Sequence, residues 1–179
     1  DEIDELTMTI TNVQDTAENI VFDGSTIPIS TAGSGTTTND AIPWVVTLSS
    51  TTATLAFDGA GVISWTAAEV VADLDAATYT NTDQAPTVAA RVITITHLAD
   101  EGSEVSPNDR SADSGLAQAT TITIAVANDA ATVANAQADN TATEDVAFSY
   151  TTPSNTFADV DAGDSCTYTS TLSSTAALP

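Results

Sequence analysis

The run Asp159-Val160-Asp161-Ala162-Gly163-Asp164 sets three carboxylates close together in the chain. In an extended loop a D-x-D pair sends both carboxylates to the same side, where they can offer oxygens to one ion. Ca²⁺ suits such hard donors, taking about six to eight oxygens from carboxylates, amide side chains and backbone carbonyls. The plain alternative is a solvated surface, because a chain with 25 Asp+Glu produces D-x-D pairs by chance. The run also matches the opening of an EF-hand loop. Ser170 stands at the twelfth position, where that loop needs Glu, and no helices flank it, so the EF-hand is rejected.

Other residue types with chemical potential are sparse. His97 is the only histidine and falls in a strand pattern, with no second His or Cys nearby to complete a zinc site, so a structural or edge role is expected. Cys166 is the single cysteine, which excludes an internal disulfide. A Cys-His nucleophile pair is possible on composition, but nothing in the sequence places the two together. Trp44 and Trp65 could stack a sugar ring, yet in a chain with 5% aromatic residues core packing is the expectation. Paired carboxylates could in principle hydrolyse a glycoside, but no Asp or Glu has sequence surroundings that would raise its pKa. Arg91 and Arg110 are expected to neutralise local acid clusters.

Charge narrows the field further. The chain of 179 residues carries Asp+Glu 25 against Lys+Arg 2, a formal net charge of −23. Nucleic acid and anionic membrane surfaces repel such a chain, and divalent cations are its natural partners. With 42% hydrophobic residues it is not a disordered acidic tail, although the apolar content is mostly Ala and Val and predicts a thin core. No apolar run approaches the roughly 18 to 20 residues that span a bilayer, so membrane insertion is not expected. No signal peptide opens the sequence, and Asp1 is expected to begin a processed product or a fragment.

The elements that must position these residues are strands. Leu6, Met8 and Ile10 alternate with threonines, as do Trp44, Val46 and Leu48; Leu55 and Phe57 follow the same period. Residues 91–98 form a strand pattern apolar on both faces, and 121–127 put Ile122, Ile124 and Val126 on one face. Phe148 and Tyr150, then Cys166, Tyr168 and Leu172, continue the alternation. β-Branched residues with one wet face predict antiparallel sheets in a β-sandwich. Asp23-Gly24, Gly33-Ser34-Gly35 and Asp58-Gly59-Ala60-Gly61 separate the runs. Thr66-Ala67-Ala68-Glu69 is a capping box followed by Val70, Val71 and Leu74, which predicts a short helix over 66–76 crossing between sheets. Residues 100–115, rich in Asp, Ser, Pro and Gly, predict a long loop.

Two distant segments align. With Asp1 on Asp161, Asp4 falls on Asp164, Leu6 on Cys166 and Met8 on Tyr168, and Thr7 and Thr9 coincide with Thr167 and Thr169. Two copies of one module are expected, which makes Cys166 a buried core residue. The chain is then expected to begin partway into one module, lacking the counterpart of about 130–160, and to stop partway into the next. Sheet edges left open this way invite another strand.

Val126-Ala127-Asn128-Asp129-Ala130 resembles the V-x-N-D-A-P linker between cadherin-like repeats of giant bacterial surface adhesins, with Ala131 where proline is usual. Thr143-Glu144-Asp145-Val146-Ala147-Phe148 and Phe157-Ala158-Asp159-Val160-Asp161-Ala162-Gly163-Asp164 resemble the T-E-D-x-x-F and F-x-D-x-D-x-G-D signatures of dystroglycan-type modules, and 172–179 resemble the segment before their tryptophan. The first part is similar to a longer repeat of the same adhesins, through Ile10-Thr11 with Asp15, Tyr79-Thr80-Asn81-Thr82 and Arg91-Val92-Ile93-Thr94-Ile95-Thr96. The resemblance implies an all-β chain of tandem Ig-like, cadherin-like β-sandwich modules with Ca²⁺ at their junctions. Residues 1–127 would be one module lacking its first strands, 128–131 the linker, and 132–179 the start of a second. It implies Asn128, Asp129, Glu144, Asp159 and Asp161 as Ca²⁺ ligands, with Asp164 in a lesser role. Asp1 and Asp4 would be remnants of the equivalent first-module site, and Asp100 and Glu101 would close the junction.

These expectations describe a non-catalytic structural segment of an extracellular bacterial adhesin or fibre at the cell surface, whose partners are neighbouring repeats or copies of itself. Two alternatives remain open: a filament subunit completed by strand donation between chains, and a carbohydrate-binding module that meets surface glycans.

Overall fold

The structure, a computed structural model, describes residues 2–59, 65–100, 116–161 and 163–167. The chain divides into two units, Asp1–Val126 and Ala127–Pro179. It is all-β with one short helix, and every strand pairing is antiparallel.

In the first unit the alternation of Thr with Leu, Met and Ile builds β1 (Ile3–Thr11), with Leu6, Met8 and Ile10 buried. β-Branched threonines suit the half-exposed face. The phase slips between Ile3 and Leu6, where a bulge leaves Ile3 opposite Asp100 and Glu5 opposite Ala99. β2 (Glu18–Phe22) turns into β3 (Ser25–Pro28) through Asp23-Gly24, both at positive φ of 41° and 70°. A two-residue hairpin of this hand needs left-handed backbone at both positions, and Asp-Gly supplies it. β4 (Gly33–Thr36), β5 (Pro43–Ser49) and β6 (Thr52–Asp58) follow, with Ala53, Leu55 and Phe57 of β6 buried in strict alternation. Helix α1 (Ala67–Ala76) starts at Thr66, whose hydroxyl accepts from the Glu69 amide while the Glu69 carboxylate accepts from the Thr66 amide. β7 (Thr78–Asn81), β8 (Arg91–Asp100) and β9 (Gln118–Ile122) complete the unit.

These strands form a six-stranded sheet in the order β4-β5-β6-β1-β8-β9 and a three-stranded sheet in the order β3-β2-β7. Helix α1 links the first sheet to the second, as expected. Both sheets contribute to one core: Phe22 of β2 lies 4.4 Å from Phe57 of β6 between ring centroids, and Trp65 sits 6.3 Å and 6.2 Å from them. Truncating one of these rings to Ala should cost about 3–5 kcal/mol.

Several sequence expectations are corrected. Gly33-Ser34-Gly35 is not a break but β4, because Gly35 pairs across the sheet with Trp44 and the indole lies over it. The strand expected over 121–127 ends at Ile122 and begins at Gln118 instead. Val71 of α1 and Leu48 of β5 are exposed, so the apolar face of each is narrower than its pattern suggested. The loop expected over 100–115 lies outside the described residues except for Asp100, which ends β8.

Among its described residues the second unit holds one short pairing, β10 (Thr132–Val133) with β11 (Phe157–Ala158). Among its described residues only Thr156 is buried, with Ala134 and Asn135 donating their amides to its carbonyl. Phe148 and Tyr150 are exposed and in no strand, and Cys166 is exposed rather than buried like Leu6. A period-two pattern becomes a strand only where a neighbour accepts its hydrogen bonds and a facing layer buries it. Tyr168, Leu172 and the rest of 168–179 lie outside the described residues. No helix among the described residues is long and apolar enough to cross a membrane.

Candidate functional site

Asp159 follows β11 directly, and the chain then turns back on itself. The Asp161 amide donates to Asp159 Oδ1 at 3.0 Å, the Asp164 amide to the Asp161 carbonyl at 3.4 Å, and Gly163 takes a positive φ of 97°. The turn gathers Asp159, Asp161 and Asp164 so that one carboxylate oxygen of each lies within 4.8 Å of the other two. The Asp129 amide donates to Asp161 Oδ2 at 2.6 Å and ties the start of the unit to this turn. The Asn128 side chain donates to the Asp129 carbonyl at 2.7 Å. Ionised carboxylates accept at about four lone-pair sites each, so these bonds leave oxygens for a cation. Ca–O distances of about 2.3–2.6 Å put two ligands of one ion no more than about 5 Å apart, and the cluster meets that limit. Its donors are all oxygen, which suits a hard divalent ion.

Of the residues expected as ligands, the structure brings together Asp159, Asp161 and Asp164, with Asp129 joined through its amide rather than its carboxylate. Glu144 is exposed and outside the cluster. Asp4 is half-buried on β1, and Asp100 ends β8 opposite Ile3; among the described residues neither belongs to a group of three acids. Asp1 and Glu101 lie outside the described residues.

A second acidic cluster, in the first unit, was invisible in the sequence. Asp23 from the β2–β3 turn, Asp40 from the segment before β5 and Asp73 from α1 each place a carboxylate oxygen within 4.8 Å of the others. The Asp40 amide donates to Asp23 Oδ2 at 3.0 Å, and Trp65 Nε1 donates to Asp73 Oδ2 at 3.1 Å. Burial and then the charges of Asp23 and Glu69 push the Asp40 carboxyl above its ordinary range. Burial also raises Asp73; the Trp65 bond opposes this, while Asp23, Asp40 and Glu69 reinforce it. Where the sequence marked no acid with a raised pKa, the fold supplies two. The only local signal was the Asp23-Gly24 turn, since the three acids come from three separate elements.

The third polar centre is a buried network around Glu18; the repeat motifs had marked Asp15, Tyr79, Asn81 and Arg91, but no sequence pattern had singled out Glu18. Arg91 donates from Nε to Glu18 Oε2 at 2.9 Å, and from Nη2 to Glu18 Oε1 at 2.7 Å and Asp15 Oδ2 at 2.8 Å. The Gln14 and Asp15 amides each donate to Glu18 Oε1 at 2.8 Å, and Tyr79 donates its hydroxyl to Oε2 at 2.9 Å. Asn81 and the Thr87 hydroxyl donate to Asp15 at 2.7 Å and 2.6 Å. Arg91 Nη1 also reaches the carbonyls of Thr87 and Ala89. Burial alone would raise both acids. In Asp15 the bonds from Thr87 and Asn81 and the Arg91 charge outweigh it, and in Glu18 the bonds from Arg91, Asp15, Gln14 and Tyr79 do so; both pKa values fall below their ordinary range. Burial, then Glu18 itself, push the Tyr79 hydroxyl up to about 12. This arrangement clamps β2, β7 and β8 together. Arg91 neutralises acids as expected, but in the interior.

The remaining candidates have structural surroundings. Trp65 is fully buried, so its ring has no free face for a sugar. Trp44 is half-buried and packs against the core. His97 Nε2 lies 2.9 Å from Glu5 Oε2 on neighbouring strands. The chain matches no protein-family model, no curated protein and no solved structure.

Proposed function

We propose that the chain is a non-catalytic structural segment of an extracellular bacterial adhesin or fibre, built from Ig-like, cadherin-like β-sandwich modules. In this reading Ca²⁺ organises the second unit at the linker that opens it. The observation that carries it is the convergence of the Asp159, Asp161 and Asp164 carboxylates within 4.8 Å, with the Asp129 amide bound to the same turn. Two further observations support it. Among its described residues the second unit buries only Thr156, so that part of it has little apolar core to hold it together. A net charge of −23 opposes compaction wherever acids converge. An ion bound at 159–164 relieves both: it cancels local repulsion, and its binding free energy becomes folding free energy. The core of the first unit, drawn from both sheets, and its clamp around Glu18 make it a stable spacer that needs no ion.

Thermal melting followed by circular dichroism, in excess Ca²⁺ and then in EGTA, tests this. Ca²⁺ at about one hundred times its dissociation constant should stabilise the second unit by about 2.7 kcal/mol. Mg²⁺ should act more weakly, because it demands near-octahedral geometry and gives up water reluctantly. The double substitution Asp159→Asn with Asp161→Asn should abolish the Ca²⁺ response. An identical response in wild type and double variant would refute the site.

A further inference from the structure

No further inference is drawn: the strongest candidate, the half-open apolar groove of about 420 Å³ in the first unit lined by Met8, Ile10, Ile20, Leu74, Ile93 and Ile95, carries none, because nothing in the structure shows what covers it.

Discussion

Arg91 is completely buried, and so is Glu18 beside it. Removing one partner of such a pair leaves an uncompensated charge in the interior. Arg91→Met should therefore destabilise the first unit by about 3–5 kcal/mol in urea denaturation. The pH dependence has two opposing parts. Asp15 and Glu18 have lowered folded-state pKa values, so their contribution is fully present above the ordinary values of 3.8 and 4.5 and is lost as pH falls below them. Asp40 and Asp73 have raised values, so the folded state binds their protons more tightly and stability rises as pH falls from neutrality through those values. Urea denaturation across pH should show a maximum on the acid side of neutrality. Asp40→Asn should raise stability at pH 7 by about 0.5–2 kcal/mol and flatten the neutral limb of the profile; an unchanged limb would remove the Asp23–Asp40–Asp73 repulsion from the account. Arg91 stood out in the sequence as one of two cations, whereas Glu18 looked like any other acid. Its role depends on where β7 and β8 arrive.

The elements divide by how local their causes are. The α1 start was legible because the capping box is a contact between residues three apart. The Asp23-Gly24 turn was legible because only left-handed backbone closes that hairpin. β4 was not, since glycines weaken strands, and here the compensating contact is Trp44 on the neighbouring strand. A Cβ on Gly35 would come within 2.7 Å of that indole. Gly35→Ala should accordingly cost about 1–3 kcal/mol through overpacking, measurable as a lower urea midpoint. A neutral result would mean that the ring swings aside freely. The bulge in β1 was equally hidden, because it is a mismatch with β8 and not a property of β1 alone.

For the whole molecule, net charge dominates the response to solution conditions. Moving from about 0.01 M to about 0.15 M ionic strength shortens the Debye length from about 30 Å to about 8 Å. Melting temperature should rise with NaCl, by roughly 2–8 °C for each kcal/mol of repulsion screened. Specific cation binding at Asp159, Asp161 and Asp164 adds a Ca²⁺ response at matched ionic strength, and only that part should vanish in the Asp159→Asn, Asp161→Asn double variant. A melting temperature indifferent to NaCl would show that the folded chain already spaces its acids beyond mutual reach. The Asp159–Asp164 cluster was legible in advance because the whole site lies within one turn. The role expected of Glu144 required a distant segment of the same unit to meet at that turn, and Glu144 is not part of the cluster.

What the amino-acid order determined alone is whatever depends on neighbours within a few positions: strand periodicity, the capped helix, the Asp-Gly turn, the D-x-D cluster and the overall repulsive charge. Tertiary structure decided which alternating segments became strands. Residues 3–11 and 52–58 found partners and a facing layer, while 146–150, with the same period, found neither among the described residues. It also decided which acids are held ionised and which are pushed towards protonation. Asp15 and Glu18 meet Arg91 and a ring of donors, whereas Asp23, Asp40 and Asp73 meet one another. The reason is the same in each case. Hydrogen bonds, burial and charge act through distances of a few ångströms, and only folding sets those distances between residues far apart in the chain.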